Sequence, residues 1–166
     1  MSQRSELSIL PAVEADVPII LEFIRRLAEY EKLSHEMQAT EELLRKNLFG
    51  PRRAAEAAIA RSDGKPAGFA LWFQTFSTFV GKPGIWLEDL FVLPEYRRNG
   101  IGLALLRWVA QIAIDRDYGR IEWSVLDWNE PALKLYRKLG AVPMSDWTTQ
   151  RLRLTGEPLK WLAQKP

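Results

Sequence analysis

The chain has no cysteine and a single histidine, His35. Disulfides, thiolate nucleophiles and Cys-ligated zinc are therefore excluded, as are metal sites that need two imidazoles. No apolar run nears the roughly 20 residues needed to cross a bilayer. The stretch Ile101 to Leu106, broken by Gly102, falls far short. No segment joins a basic start to an apolar stretch and a small-residue cleavage site, so no signal peptide is read and a cytoplasmic location is expected. Charge of one sign is not in large excess either. Lys and Arg number 23 against 21 Asp and Glu, a net +2 that is too mild to call for nucleic acid. Ten glycines and ten prolines in 166 residues rule out collagen-like and low-complexity chains. What is present, 47% hydrophobic residues at this length, suits one packed domain spanning 1–166.

The charge is unevenly placed. Residues 1–50 hold 6 Lys and Arg against 9 Asp and Glu, whereas residues 51–166 hold 17 against 12. A basic C-terminal part suits an anionic cofactor and an acidic N-terminal part a cationic substrate, although solvated faces would produce the same split.

Helices and strands alternate along the chain. Leu7 to Ala12 reads as a short strand. Val17, Ile20, Leu21, Ile24, Leu27 and Ala28 keep the three-four spacing of a helix face. Thr40 stands as N-cap of a second helix with Glu41 and Glu42 in its first turn, and Gly50-Pro51 stops it. Ala54 to Ala60 is read as a strand because Asp63-Gly64, a hairpin turn signal, follows. Gly68 to Val80 and Ile85 to Leu93 continue an antiparallel meander through the turn Gly81 to Gly84. Ile101 to Asp117 is a helix whose clean polar stripe is Arg107, Gln111 and Asp115, so it packs on a sheet. Arg120 to Leu126 is a strand, and Asn129-Glu130-Pro131 starts a helix ended by Gly140. Strands at Ala141 to Trp147 and Thr149 to Leu154 and a short C-terminal helix complete one mixed α/β domain.

The strongest chemical signal is the stretch from Leu93 through Gly102. It joins a strand to a helix, and the unsatisfied N–H groups and dipole of a helix start attract phosphate. Gly100 and Gly102 clear the approach, while Arg97 and Arg98 add charge. A dinucleotide fingerprint would place glycine where Leu105 stands, and a P-loop would need Gly-Lys-Ser/Thr; neither is present. A tight turn with solvated arginines is the bland alternative.

A second signal is Glu88-Asp89, in a strand whose other residues from Ile85 to Leu93 are all apolar. The strand therefore reads as buried on both faces, with alternation sending the two carboxylates to opposite sides. A buried carboxylate persists when paired or functional; Asp89 is left in a structural role. Taken alone, Tyr136 reads as a core tyrosine and Asn129 as an N-cap, and His35 is assigned nothing.

Arg97-x-x-Gly100-x-Gly102 after an apolar strand resembles the acyl-CoA pyrophosphate motif of the GNAT N-acetyltransferase superfamily, and the element order agrees from about Leu7 to Leu154. The stretches Leu27 to Glu31, Leu87 to Val92 and Trp128 to Ala132 with Tyr136 resemble the diamine (spermidine/spermine) and thialysine branch. The resemblance implies a GNAT-like α/β fold: a central twisted, mostly antiparallel sheet of about seven strands with helices on both faces. It also implies acetyl-CoA as cosubstrate, no metal, a small primary amine such as a polyamine or thialysine as acceptor, and a homodimer. Leu90, Phe91 and Val92 would present backbone groups to pantetheine and the acetyl carbonyl. Arg97, Arg98, Asn99, Gly100, Ile101, Gly102 and Leu103 would hold the diphosphate, and Asn129, Glu130, Pro131, Ala132 and Tyr136 would line the rest of the CoA channel. Tyr136 would be the general acid. Glu88, with its pKa raised in a partly desolvated strand pocket, would be the base through water. Tyr30, Glu31 and Glu88, with Glu122, Trp123 and Ser124, would contact the amine. In one departure, Thr148 stands where the family places an acidic residue near the polyamine; Asp146 is two positions away. A non-catalytic acyl-CoA sensor would keep the 97–102 turn but need neither Glu88 nor Tyr136. A nucleic-acid module would need an exposed basic stripe, which the helix at 101–117 lacks.

Overall fold

The computed structural model describes residues 6–152, which fall into two compact units dividing between Ser124 and Val125. The first unit is built on one sheet in the order β1-β2-β3-β4-β5. The strands are β1 (Leu7–Pro11), β2 (Glu56–Ser62), β3 (Lys65–Ser77), β4 (Lys82–Val92) and β5 (Ile121–Trp123). Strands β1 to β4 are antiparallel, and β5 joins β4 in parallel. The β2–β3 hairpin turns at Asp63 and Gly64, both at positive φ (49° and 77°), as a tight two-residue connection requires.

Helix α1 (Val17–Tyr30) buries Val17, Ile20 and Phe23. It covers the sheet face formed by Ala57, Ile59, Phe69, Leu71 and Phe91. There Phe23 stacks on Phe69 at 5.3 Å between ring centroids, a spacing that adds to the gain from burial. The alternate residues Ala58, Ala60 and Ala70 are fully buried as well, and α3 (Ile101–Asp115) packs against β1 to β4. Its exposed residues are the expected Arg107, Gln111 and Asp115, together with Ile114. Helix α2 (Glu41–Leu44) begins at Thr40, whose hydroxyl accepts the Leu43 N–H at 3.2 Å, and continues as a π turn over Arg45–Phe49. Among the described residues no helix is long and apolar enough to cross a membrane.

The second unit holds α4 (Glu130–Lys138), with Asn129 at its N-cap, Pro131 in its first turn and Gly140 at φ +81° just beyond its end. The expectation of about seven strands is not met: among the described residues the sheet has five. Residues 141–152 form neither helix nor strand and are mostly exposed. Their Val, Trp and Thr content favours a strand only when another strand lies alongside. Leu154 and the expected C-terminal helix lie outside the described residues.

Candidate active site

The site is built around the C-terminal half of β4. Pairing with β5 covers only Ile85 to Leu87, so from Glu88 to Val92 no residue of β5 pairs with that edge. On the other side, the β3 register passes from Leu71↔Asp89 to Trp72↔Leu87. Glu88 is thus the extra residue of a β-bulge, a device that re-aims side chains. Apolar residues of β4 are buried on both faces as expected, Ile85 and Leu87 on one and Phe91 on the other; what the bulge corrects is the expectation of a desolvated Glu88. Glu88 is exposed, and its carboxylate accepts the indole N–H of Trp86 at 2.8 Å. The desolvated carboxylate is its neighbour. Burial pushes Asp89 up to about 7 from its ordinary 3.8, and the charges of Glu88 and Glu31 add to the effect. The sequence left Asp89 in a structural role; the signal for more was its place two residues before the buried Phe91, on the face that α1 covers.

Asp89 lines an open pocket of about 230 Å³ with Glu31, Glu36 and Gln38, its walls formed by Ile24, Leu27, Ala28, Leu33, Met37 and Ala39. Glu31 caps α1, and burial raises its pKa as well. Apolar walls ending in carboxylates suit an aliphatic ammonium group. Among the described residues no three His, Cys, Asp or Glu side chains could hold a metal ion.

Beyond β4, a 3-10 turn at Pro94–Tyr96 leads to the start of α3. The chain reverses through Arg98 and Gly100, at φ 64° and 79°. Gly100 is the N-cap and supplies no side chain to the first N–H groups of α3, the kind of helix start that can accept an anion. A Cβ on Gly102 would meet only Val92 Cγ2, at 3.8 Å, so the protein itself does not demand glycine there. Arg98 and Asn99 are exposed at this turn, Ile101 is buried beneath it and Leu103 half-buried. Arg97 behaves differently. Its Nε donates to the Val92 carbonyl at 3.0 Å, and its guanidinium lies 4.6 Å from the ring centroid of Tyr30. Leu90 and Val92 are half-buried and Phe91 is in the core.

On β5, Glu122 pairs with Arg120 at 2.7 Å and stands opposite Trp86 of β4. Trp123 is half-buried and Ser124 exposed. In the second unit, the α4 face at Ala132 and Tyr136 is half-buried, while Glu130 and Pro131 are exposed. Burial raises the Tyr136 phenol, so it carries its proton at neutral pH. Glu130 lies 3.7 Å from Arg137. Thr148 is exposed and outside any helix or strand.

Comparison with known proteins agrees with this geometry. The profile of the Acetyltransferase (GNAT) family matches residues 20–141. Thialysine N-epsilon-acetyltransferase from Bos taurus is 39% identical over 95% of this chain and 97% of its own length. L-ornithine N5-acetyltransferase from Arabidopsis thaliana is 29% identical over 90% of this chain and 84% of its own. Among solved structures, an integron cassette protein from V. cholerae superposes with a TM-score of 0.73 at 26% identity, covering 96% of this chain and 98% of that one. With a family match that spans most of its length and relatives that run almost end to end, the chain belongs to the GNAT acetyltransferase family and is an N-acetyltransferase.

Proposed function

We propose that the chain moves an acetyl group from acetyl-CoA to the primary amine of a small aliphatic acceptor, thialysine-like or a polyamine, by direct attack in a ternary complex. The carrying observation is the β4 edge: it parts from β5 at Glu88 and runs into a helix start with Gly100 as N-cap. Backbone groups of Leu90, Phe91 and Val92 would hold pantetheine; the backbone of the turn that begins at Arg97, with the Arg98 side chain, would hold the diphosphate through Leu103. In this reading Asn129, Glu130, Pro131 and Ala132 would also contact CoA. The bound cosubstrate supplies an activated thioester. The family profile crosses the division at Ser124, which supports one catalytic domain over 1–166.

The residues then divide the proton work. An alkylammonium with pKa near 10.4 must lose a proton before it attacks, at a cost of roughly 4–5 kcal/mol at pH 7. Glu88, exposed at the bulge, accepts that proton through water. A backbone N–H between Leu90 and Val92 meets the negative charge that develops on the carbonyl oxygen. Tyr136, still protonated at neutral pH, gives its proton to the departing thiolate. No enzyme nucleophile is needed, in keeping with a chain that lacks cysteine. Tyr30 and Glu31 contact the acceptor, with Asp89 in the same pocket as Glu31; Glu122, Trp123 and Ser124 extend that contact surface. The thialysine and ornithine acetyltransferases among the relatives support an amino-acid side-chain amine. The exposed Thr148 adds no carboxylate for a polyamine. A homodimer in the cytoplasm completes the reading.

The test is CoA release from acetyl-CoA with thialysine, ornithine, lysine, spermidine and an unrelated amine. Turnover with one acceptor that falls sharply in Glu88→Gln is expected. Binding of acetyl-CoA without turnover on any acceptor would remove the proposed substrate class.

A further inference from the structure

We propose that Arg97 is a positioning residue for the amine acceptor: it pins the end of α1 to the end of β4, and its side chain does not serve the diphosphate. This rests on the reading of Tyr30 as an acceptor contact. The two arginines of the turn part company. Arg98, at φ 64°, is exposed at the mouth of α3, whereas Arg97 is half-buried and directed into the sheet. Its Nε–H is committed to the Val92 carbonyl at 3.0 Å, which fixes the plane of the guanidinium. That plane lies within cation–π range of two rings, at 4.6 Å from the Tyr30 centroid and 5.6 Å from that of Phe91.

Tyr30 is the last residue of α1, and the chain leaves the helix through Lys32 at φ 60°. A helix end frays unless something holds it. Here the guanidinium holds Tyr30 against β4, the strand that carries Glu88 and Asp89. Glu31, the next residue, lines the pocket with Asp89. Arg97 thus sets the register between the acceptor contacts on α1 and the carboxylates of β4. The anion turn that follows it is made of backbone N–H groups and does not need this side chain.

The experiment is steady-state kinetics on wild type, Arg97→Ala, Arg97→Lys, Tyr30→Leu and the Arg97→Ala/Tyr30→Leu double variant. Arg97→Ala raises the acceptor KM about three- to tenfold, the range of a partly desolvated cation–π contact. The acetyl-CoA KM stays near the wild-type value, and Arg97→Lys recovers part of the loss. Tyr30→Leu raises the acceptor KM too, and adding Arg97→Ala to it brings no further rise. An increase confined to the acetyl-CoA KM, or effects that multiply in the double variant, would overturn the proposal. Should Arg97→Ala not fold, Arg97→Gln keeps an N–H donor for Val92 while removing the charge over Tyr30, and the same split is read. Failure of the acetyltransfer reading appears in wild type, as absence of turnover, whereas failure of this proposal appears only in the variants.

Discussion

Asp89→Asn tests the central electrostatic claim about the β4 bulge. Asparagine keeps the shape of the side chain and removes its charge. In the fold the Asp89 carboxyl titrates at about 7 instead of 3.8. The folded state therefore holds a proton that the unfolded chain releases, and the stability linked to it is complete below pH 3.8. It declines as pH rises and is lost once pH passes about 7. At about 1.4 kcal/mol per pH unit, the window from 3.8 to about 7 makes ~4 kcal/mol. The variant, neutral throughout, lacks this slope. Urea unfolding of both proteins at pH 4 and pH 8 reads the difference directly. The two should be nearly equal at pH 4, and the variant more stable by up to ~4 kcal/mol at pH 8, a rise of roughly 10 °C in Tm for a chain of this size. A stability gap equal at both pH values, or a variant weaker at both, would show that Asp89 is not a desolvated carboxylate.

The turn before α3 yields a prediction in which stability and binding move apart. Gly102→Ala should keep or raise stability, by up to about 1 kcal/mol in helix propensity, because its Cβ would meet only Val92 Cγ2 at 3.8 Å; acetyl-CoA affinity by calorimetry should fall. Gly100→Ala, forced to φ +79°, should cost about 1–2 kcal/mol in thermal unfolding. Tyr136→Phe should lower kcat about 10²-fold or more, as expected for loss of a positioned acid, with acetyl-CoA affinity little changed; an unaltered kcat would remove Tyr136 from the mechanism.

The carboxylate arrangement also explains how one strand serves two needs. A regular β4 would send Glu88 and Asp89 to opposite faces in strict alternation. The bulge makes Glu88 unpaired and exposed, while Asp89 keeps the α1 face with Phe91. Solvent reaches the carboxylate proposed as base, and the desolvated one stays in the pocket with Glu31. Two adjacent acids therefore stand in different dielectric surroundings, which is the condition for separate roles.

Local chemistry alone determined a good part of this protein. The three-four spacing from Val17 marked α1, Thr40 marked the start of α2, and Asp63-Gly64 marked a hairpin because few other pairs accept two positive φ values. Gly100 and Gly102 after an apolar strand marked the anion turn because they leave a helix start without side chains, and the absence of cysteine limited the chemistry. Each of these is decided within a few residues of chain. The remaining features depend on neighbours far away in sequence. A bulge is a mismatch between two strands, so β4 by itself does not reveal that Glu88 lacks a partner while Asp89 has Leu71. Arg97 can reach a phosphate or a carbonyl equally well, and only the packing of α1 brought Tyr30 under its guanidinium. Residues 141–152 have strand-forming side chains but no strand, because β propensity is realised only against another strand's edge. Burial of Asp89 is likewise a property of the helix laid over it, and that decision belongs to the tertiary structure.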